Sequence, residues 1–344
     1  MTPTPTLRPG HVRVGTRASA LATTQTGHVA GALTAAAVSA GSPVAIDTVH
    51  VRTEGDRSRA SLSQLGGTGV FVTALRDALL DGTCDVAVHS LKDLPTGDAD
   101  GLTIAAMPAR VSPLDALCAR DGLTLATLPV GARVGTGSPR RKAQLLAARP
   151  DLVVVDIRGN VDTRLGRAVG PDADLDAVVL AAAGLERLGR AGAITELLEP
   201  SVMLPAAGQG VLAVECREAD ADAIPGLRSL DDLPSRLAAT AERALLAALE
   251  AGCAAPVGAL AHVRTVPGDP DTAGTFAGPS SSLVLDAVVC SLDGSTTVRR
   301  TGVVTLTADR DDAVAAAHEL GRDLAATLLD AGAAALAPIG PARR

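Results

Sequence analysis

Residues 85–96 read DVAVHSLKDLPT, and the parsing of this stretch decides the fold. Val86 and Val88, flanked by Ala87 and His89, form a run too short for a helix, and Pro95 forbids helical continuation. A short buried strand is predicted, ending in a turn that delivers Ser90, Lys92 and Asp93. In open α/β sheets ligands bind at the carboxyl ends of strands. A lysine beside an aspartate at such an end suggests a carboxylate able to handle protons, with a cation for an anionic substrate. A polar surface loop fits the dipeptide equally well, so the rest of the chain must decide.

Upstream, residues 11–37 read as a strand (HVRV), a turn (GTRAS) and a helix. The helix N-terminus near Ser19 presents free N–H groups, which attract anions. Arg17 stands in that turn, where a cation gains nothing from the helix dipole, so a ligand is the suggested reason for it. Residues 44–51 and 102–106 read as further strands. The glycine-rich loop at 66–69 leads into a helix over 70–80; lacking the GK[ST] ending of a P-loop, it reads as a lid. Arg-Val-Gly-Thr occurs at 13–16 and again at 133–136, each copy leading into a serine-capped helix, at Ser19 and at Ser138. This repeat predicts two similar α/β lobes facing each other across a cleft.

In the second copy Pro139 follows the cap, and Arg140 and Arg141 fall in the first helical turn. Two cations there oppose the macrodipole at a cost of roughly 0.3–1 kcal/mol each, which points to bidentate binding of carboxylates. Residues 152–157 predict a buried strand ending at Arg158, followed by a helix carrying Arg164 and Arg167. Residues 176–182 predict another strand, with Arg187 beyond its end. An acidic protein that gathers Arg140, Arg141, Arg158, Arg164 and Arg187 just past strand ends should bind a polyanion. The run PAAGQG (205–210) reads as a flexible connector, and 211–216 as a strand returning to the first lobe. The predicted division is 1–108 for lobe 1 with return segment 209–230, 112–205 for lobe 2, and 232–344 for a small α+β domain. That last part shows a helix over 235–250 closed by Gly252, strands at 257–263, 283–289 and 298–305, and a helix over 311–329. Residues 265–282 read as a surface loop.

Composition narrows the function classes. The 344 residues carry a net charge of −7, which argues against a general nucleic-acid binder. Only two of the 31 basic residues are lysines, and one of them is Lys92. No apolar run is long enough to span a bilayer, and the N-terminus has no apolar stretch of the kind a secretory signal needs, so neither membrane nor export is expected. The five cysteines show no CxxC pair and no metal-ligand spacing; reduced thiols in a cytoplasm, and no metal, are expected. Cys84, Cys118, Cys216 and Cys290 lie in or beside apolar stretches and read as small buried hydrophobes. Cys253 instead sits in a Gly-Cys-Ala-Ala-Pro loop past a helix C-terminus, where the dipole raises a thiol's pKa. That position suits a thiol that reacts once with a strong electrophile and stays attached.

The segments VRVGTRASALA, DVAVHSLKDLP, RVGTGSPRRKAQL, IRGNVDTRL, LAAAGLERLG, PAAGQG and the 252–258 loop together resemble the porphobilinogen deaminase (hydroxymethylbilane synthase) family, in the family's order, over residues 11–260. The resemblance implies two lobes of the type II periplasmic-binding-protein kind plus a small C-terminal α+β domain. It implies a transferase that joins four porphobilinogens, with release of ammonia, into hydroxymethylbilane. It also implies a dipyrromethane cofactor thioether-linked to Cys253, with Asp93 as the catalytic carboxylate. Ser90, Lys92, Ser138, Arg140 and Arg141 match cofactor-binding positions, and Arg17, Ser19, Arg158, Arg164 and Arg187 substrate-binding ones. A monomer acting on a small molecule is expected. The sequence departs from the family at Thr68, where lysine is frequent, and at Gly137, where serine is common. Without Cys253 and the third domain, a two-lobed binding protein for a small organic polyanion would fit the same lobes.

Overall fold

The computed structural model describes residues 7–51, 69–252, 255–265 and 281–339. The expectations for the 52–68 segment with its glycine-rich lid, for Thr68 and for Cys253 fall outside them. In chain order the elements are β1 (His11–Thr16), α1 (Ala20–Ser39), β2 (Ala45–His50), α2 (Gly69–Leu80), β3 (Val86–Ser90), β4 (Leu102–Ala106), β5 (Asp115–Ala119), β6 (Arg133–Gly135), α3 (Pro139–Ala148), β7 (Val153–Val155), α4 (Val161–Leu165), β8 (Ala177–Ala181), α5 (Ala182–Arg187), β9 (Glu196–Leu198) and β10 (Leu212–Arg217). There follow α6 (Leu233–Ala248), β11 (Val257–Thr265), β12 (Ser281–Cys290), β13 (Thr297–Thr305) and α7 (Arg310–Asp330). Among the described residues no helix is long and apolar enough to cross a membrane.

The chain separates into two compact units, Met1–Arg110 with Val211–Arg236, and Val111–Gly210 with Leu237–Arg344. In the first, side-chain alternation along β3 sends Val86 and Val88 into a core with Val12, Val14, Val29 and Leu33, and Ala87 into another with Leu75 and Leu79. Both faces of the sheet are thus covered by helices, which is why the strand is apolar on both sides. The sheet order is β2-β1-β3-β10-β4, with β1 parallel to β2 and β3, and β10 antiparallel to β3 and β4.

The second unit repeats this order as β7-β6-β8-β5-β9, with β5 as the antiparallel member beside β8. The repeat extends to an ion clasp at the strand starts. Asp85 accepts from the backbone and guanidinium of Arg13 and from Arg217, while Asp85 N donates to Arg13 O. In the second unit Asp176 accepts from Arg133 N and pairs with Arg120, and Asp176 N donates to Arg133 O. The Arg-Val-Gly-Thr repeat therefore marks a duplicated α/β unit whose two copies are clasped alike.

Residues 112–205 share the second unit with 237–344, and the two stretches build separate sheets, while 232–236 belong to the first unit. The antiparallel sheet β11-β12-β13 packs Val288 and Cys290 on Ala143 of α3 and on Leu204. Helix α7 buries Leu320, Leu324 and Leu328, and Gly321 lets its backbone approach Ala241 of α6.

Four expectations are corrected. The 152–157 run is not a buried strand: β7 spans three residues at the edge of its sheet, with Val153 half exposed, because it pairs on one side only. Arg167 lies beyond α4 and pairs with Asp174. Helix α6 ends at Ala248, and Glu250, not Gly252, takes the left-handed conformation (φ 48°). The PAAGQG run is no loose connector. Pro205 and residues 207–210 are buried, Gly208 N donates to Glu242 Oε2 at 2.6 Å, and Pro205 O accepts from Ala259 N. A buried connector must have its polar groups satisfied, and here both remote backbone and side chains do so. Residues 266–280 of the expected surface loop lie outside the described residues, while Thr265, Ser281 and Ser282 belong to strands.

Candidate functional site

In the first unit, neighbouring parallel strands β1 and β3 both end where the candidate residues begin. Leu91, Lys92 and Asp93 form a single 3-10 turn after β3. Leu91 N donates to Val211 O and Leu94 N to Leu91 O, both at 3.0 Å, and the side chains of Leu91 and Leu94 are buried. Two apolar anchors thus fix the turn, leaving Asp93 exposed and Lys92 half-buried. Ser90 exchanges hydrogen bonds with the buried Gln25 amide of α1, at 2.9 and 3.2 Å. Half-buried Arg17 follows β1 directly, and Ser19 caps α1 by accepting from Ala22 N at 3.3 Å. A capping serine spends a lone pair, so its O–H remains a donor for an anion. Behind the turn His89 Nε2 lies 3.1 Å from Glu215 Oε2, and Arg76 of α2 donates to the same carboxylate at 2.9–3.3 Å. Burial pushes the Glu215 carboxyl up, but His89 and Arg76 hold it below the ordinary value.

In the second unit the parallel strands β7, β6 and β8 deliver the arginines. Ser138 caps α3, accepting from Arg141 N at 3.5 Å. Arg140 and Arg141 do not stand at an open rim as their place in the sequence suggested. They are 4% and 6% exposed and converge on Asp115 at the start of β5. Arg140 Nη1 donates to Asp115 Oδ2 at 2.7 Å, and Arg141 Nε and Nη2 donate to Oδ1 at 3.0 and 2.7 Å. Carbonyls of Leu204 and Val179 take one further N–H from each, and Gln209 Nε2 donates to Asp115 Oδ1 at 2.9 Å. Burial pushes the Asp115 carboxyl up, yet the two guanidinium charges hold it well below the ordinary carboxylate range. Two cations on one anion leave one positive charge in a nearly closed site.

Arg158 follows β7 exposed, 3.3 Å from Asp156, and Asn160 caps α4, which carries half-buried Arg164. Arg187 ends α5 and donates to Gly210 O at 2.9 Å. Gly210 has φ 90°, and a Cβ there would lie 2.6 Å from Val111 O, so only glycine fits. A Cβ on Gly137 would likewise stand 2.6 Å from Ile157 O, so the serine common at this position has no room here.

Asp115 and Gln25 escape sequence reading. A signal for Asp115 exists: an acid at the head of the apolar run DALCA can enter a buried strand only with cationic partners. Cys84, Cys118, Cys216 and Cys290 are buried free thiols, and burial pushes Cys84 and Cys216 to about 12 and Cys118 and Cys290 to about 11. None of these four can supply a thiolate near neutral pH.

Comparison with known proteins agrees along nearly the whole chain. The family model described as "Porphobilinogen deaminase, dipyromethane cofactor binding domain" matches residues 12–225, and that of the porphobilinogen deaminase C-terminal domain matches 236–330. A porphobilinogen deaminase of Cutibacterium acnes is 56% identical over 95% of this chain and 97% of its own. Those of Micrococcus luteus and Thermobifida fusca are 53% and 52% identical, covering 86% and 93% of this chain and 82% and 94% of theirs. Among solved structures, the methionine-binding protein MetQ aligns over 65% of this chain and 90% of its own at 15% identity and a TM-score of 0.41, too distant to bear on function. With paired family matches spanning both units and relatives identical at more than half their positions, the chain belongs to the porphobilinogen deaminase family.

Proposed function

We propose that the chain is a transferase that joins four porphobilinogen molecules, one ammonia leaving per ring, into hydroxymethylbilane on a dipyrromethane primer. The observation that carries this reading is the turn at Leu91–Asp93, where buried leucines hold an exposed carboxylate beside a lysine. Each cycle breaks the C–N bond of the substrate's aminomethyl group and forms a C–C bond to the free pyrrole carbon of the chain. Asp93 gives a proton to the leaving amine, stabilises the cation that its departure leaves, and takes the proton released from the attacked carbon.

Every ring brings an acetate and a propionate, so the site must meet two carboxylates per ring. Arg17, Ser19, Arg158, Arg164 and Arg187 are assigned to the substrate's carboxylates, and Ser90, Lys92, Ser138, Arg140 and Arg141 to the primer's. The donor chemistry fits: cations and capping hydroxyls supply N–H and O–H groups to carboxylates. When bound, the dipyrromethane supplies the nucleophilic pyrrole carbon from which the chain grows. Cys253 is assigned its thioether attachment, supported by the burial and raised pKa of the other four thiols. Two lobes (1–108 with 209–230, and 112–205) and a C-terminal part from 232 that carries this cysteine complete the reading, with a cytoplasmic monomer as its setting.

The test is turnover. Purified protein given porphobilinogen should release four ammonia per hydroxymethylbilane. Binding of porphobilinogen without ammonia release would instead indicate a binding protein.

A further inference from the structure

The duplicated units allow a position-by-position comparison, which isolates one polar cluster. Superposing the helix caps Ser19 and Ser138, with one residue fewer between Arg133 and its cap than between Arg13 and its own, sets the first turns of α1 and α3 in register. Arg140 and Arg141 then correspond to Leu21 and Ala22. Leu212 of β10 stands opposite Ser90, and Asp115 of β5 stands opposite Ala181, so Asp115 corresponds to Leu212. At the corresponding positions the first unit has half-buried Leu21 and Ala22 and buried Leu212, whereas the second has two arginines and an aspartate, all buried. Burying three charges where the first unit buries none is costly.

We propose that Asp115 is a positioning residue, an internal counter-ion that locks Arg141 and one edge of Arg140 so that the remaining N–H groups of Arg140 meet a ligand carboxylate. The inference rests on the reading that the protein binds carboxylate-bearing pyrroles. Donor accounting supports it. Arg141 commits Nε, Nη1 and Nη2, to Asp115 and to Val179 O. Arg140 commits only Nη1 among the described residues, to Asp115 Oδ2 and Leu204 O. Gln209 fixes the carboxylate in turn, bridging Asp115 Oδ1 and Pro113 O. Without Asp115, two adjacent guanidiniums would repel each other at the positive end of a helix dipole, with no single orientation. With it, the leftover positive charge is assigned to Arg140.

Asp115→Ala in the full chain, assayed with formate or with chloride at equal ionic strength, tests this. Intact mass reads pyrrole occupancy, thermal unfolding reads Tm, and kinetics separates KM from kcat. Loss of a charge-assisted contact should raise KM for porphobilinogen about ten- to a hundred-fold and lower occupancy. Formate, filling the vacated carboxylate position, should raise Tm saturably and recover occupancy where chloride does not, and Asp115→Glu should recover most of both. Wild-type KM and occupancy in Asp115→Ala, or folded protein indifferent to formate, would overturn the proposal. Should Asp115→Ala not fold, Asp115→Asn, which keeps the shape and removes the charge, decides: folded protein with raised KM and lowered occupancy supports the proposal, and wild-type values of both overturn it. A wild type that neither carries pyrrole nor consumes porphobilinogen would overturn the functional reading instead, leaving the formate-dependent Tm to judge Asp115 alone.

Discussion

Replacing Asp85 by Asn should cost several times more stability than the same change at its counterpart Asp176. Asp85 is fully buried and accepts from Arg13 N, Nε and Nη2 at 2.9, 3.0 and 2.7 Å and from Arg217 Nη2 at 3.0 Å. Arg217 is 7% exposed, so removing the carboxylate charge strands a buried guanidinium. Breaking such a pair by losing one partner costs about 3–5 kcal/mol. Arg217 keeps Asp220 at 2.5 Å and Arg13 keeps Gly82 O, which places the expected cost near the low end, about 3 kcal/mol. At Asp176 the partner Arg120 is 52% exposed, and a solvated pair is worth about 0.2–1 kcal/mol. In both variants the asparagine oxygen can still accept from a backbone N–H, that of Arg13 or of Arg133, so the contrast isolates the charge. Urea unfolding, with hydrogen exchange in β1 and β3 against β6 and β8 to assign the loss to its unit, measures both. A lowering of Tm by about 6–12 °C is expected for Asp85→Asn. Equal costs at the two sites, or under 1 kcal/mol at Asp85, would refute the reasoning.

Three further outcomes are expected. Asp93→Asn keeps shape but loses charge and proton transfer, so product formation should fall on the order of 10²–10⁴-fold with Tm unchanged; a tenth of the wild-type rate would move the role elsewhere. Iodoacetamide at pH 8 should leave Cys84, Cys118, Cys216 and Cys290 unmodified in the native protein and label all four after unfolding, since burial holds these thiols at about 11–12; peptide mapping reads both. Asp85, Asp115 and Glu215 are held below their ordinary carboxyl pKa values, so their stabilisation is complete above about pH 4 and lost as pH falls through the depressed folded values. Stability should therefore be flat between pH 7 and 5 and drop below about 4, and Asp115→Asn should show a shallower acid limb in denaturant titrations.

What the sequence made legible was local and apolar. DVAVHS reads as a strand because its valines leave no other period, and the Arg-Val-Gly-Thr repeat finds the duplicated unit because both copies form a parallel strand leading into a serine-capped helix. Strand β5 went unread because it opens on Asp115, and an acid in a strand makes sense only with Arg140 and Arg141, 25 and 26 residues on, beside it. Arg140 and Arg141 were legible as anomalies against the helix dipole, but their partner was not. Residues 205–210 read as loose because glycine and proline dominate them, whereas their burial depends on Glu242 and Asp115, remote in the sequence. Edge position is likewise a property of the sheet, so the valines of β7 could not announce it.

Intact mass of the purified protein, followed by mapping of its cysteine peptides, tests the central claim most directly. An excess of two pyrrole units, located on the peptide containing Cys253 and absent from Cys253→Ala, is the predicted result. No excess in protein that consumes porphobilinogen, or an excess on Cys84, Cys118, Cys216 or Cys290, would contradict it.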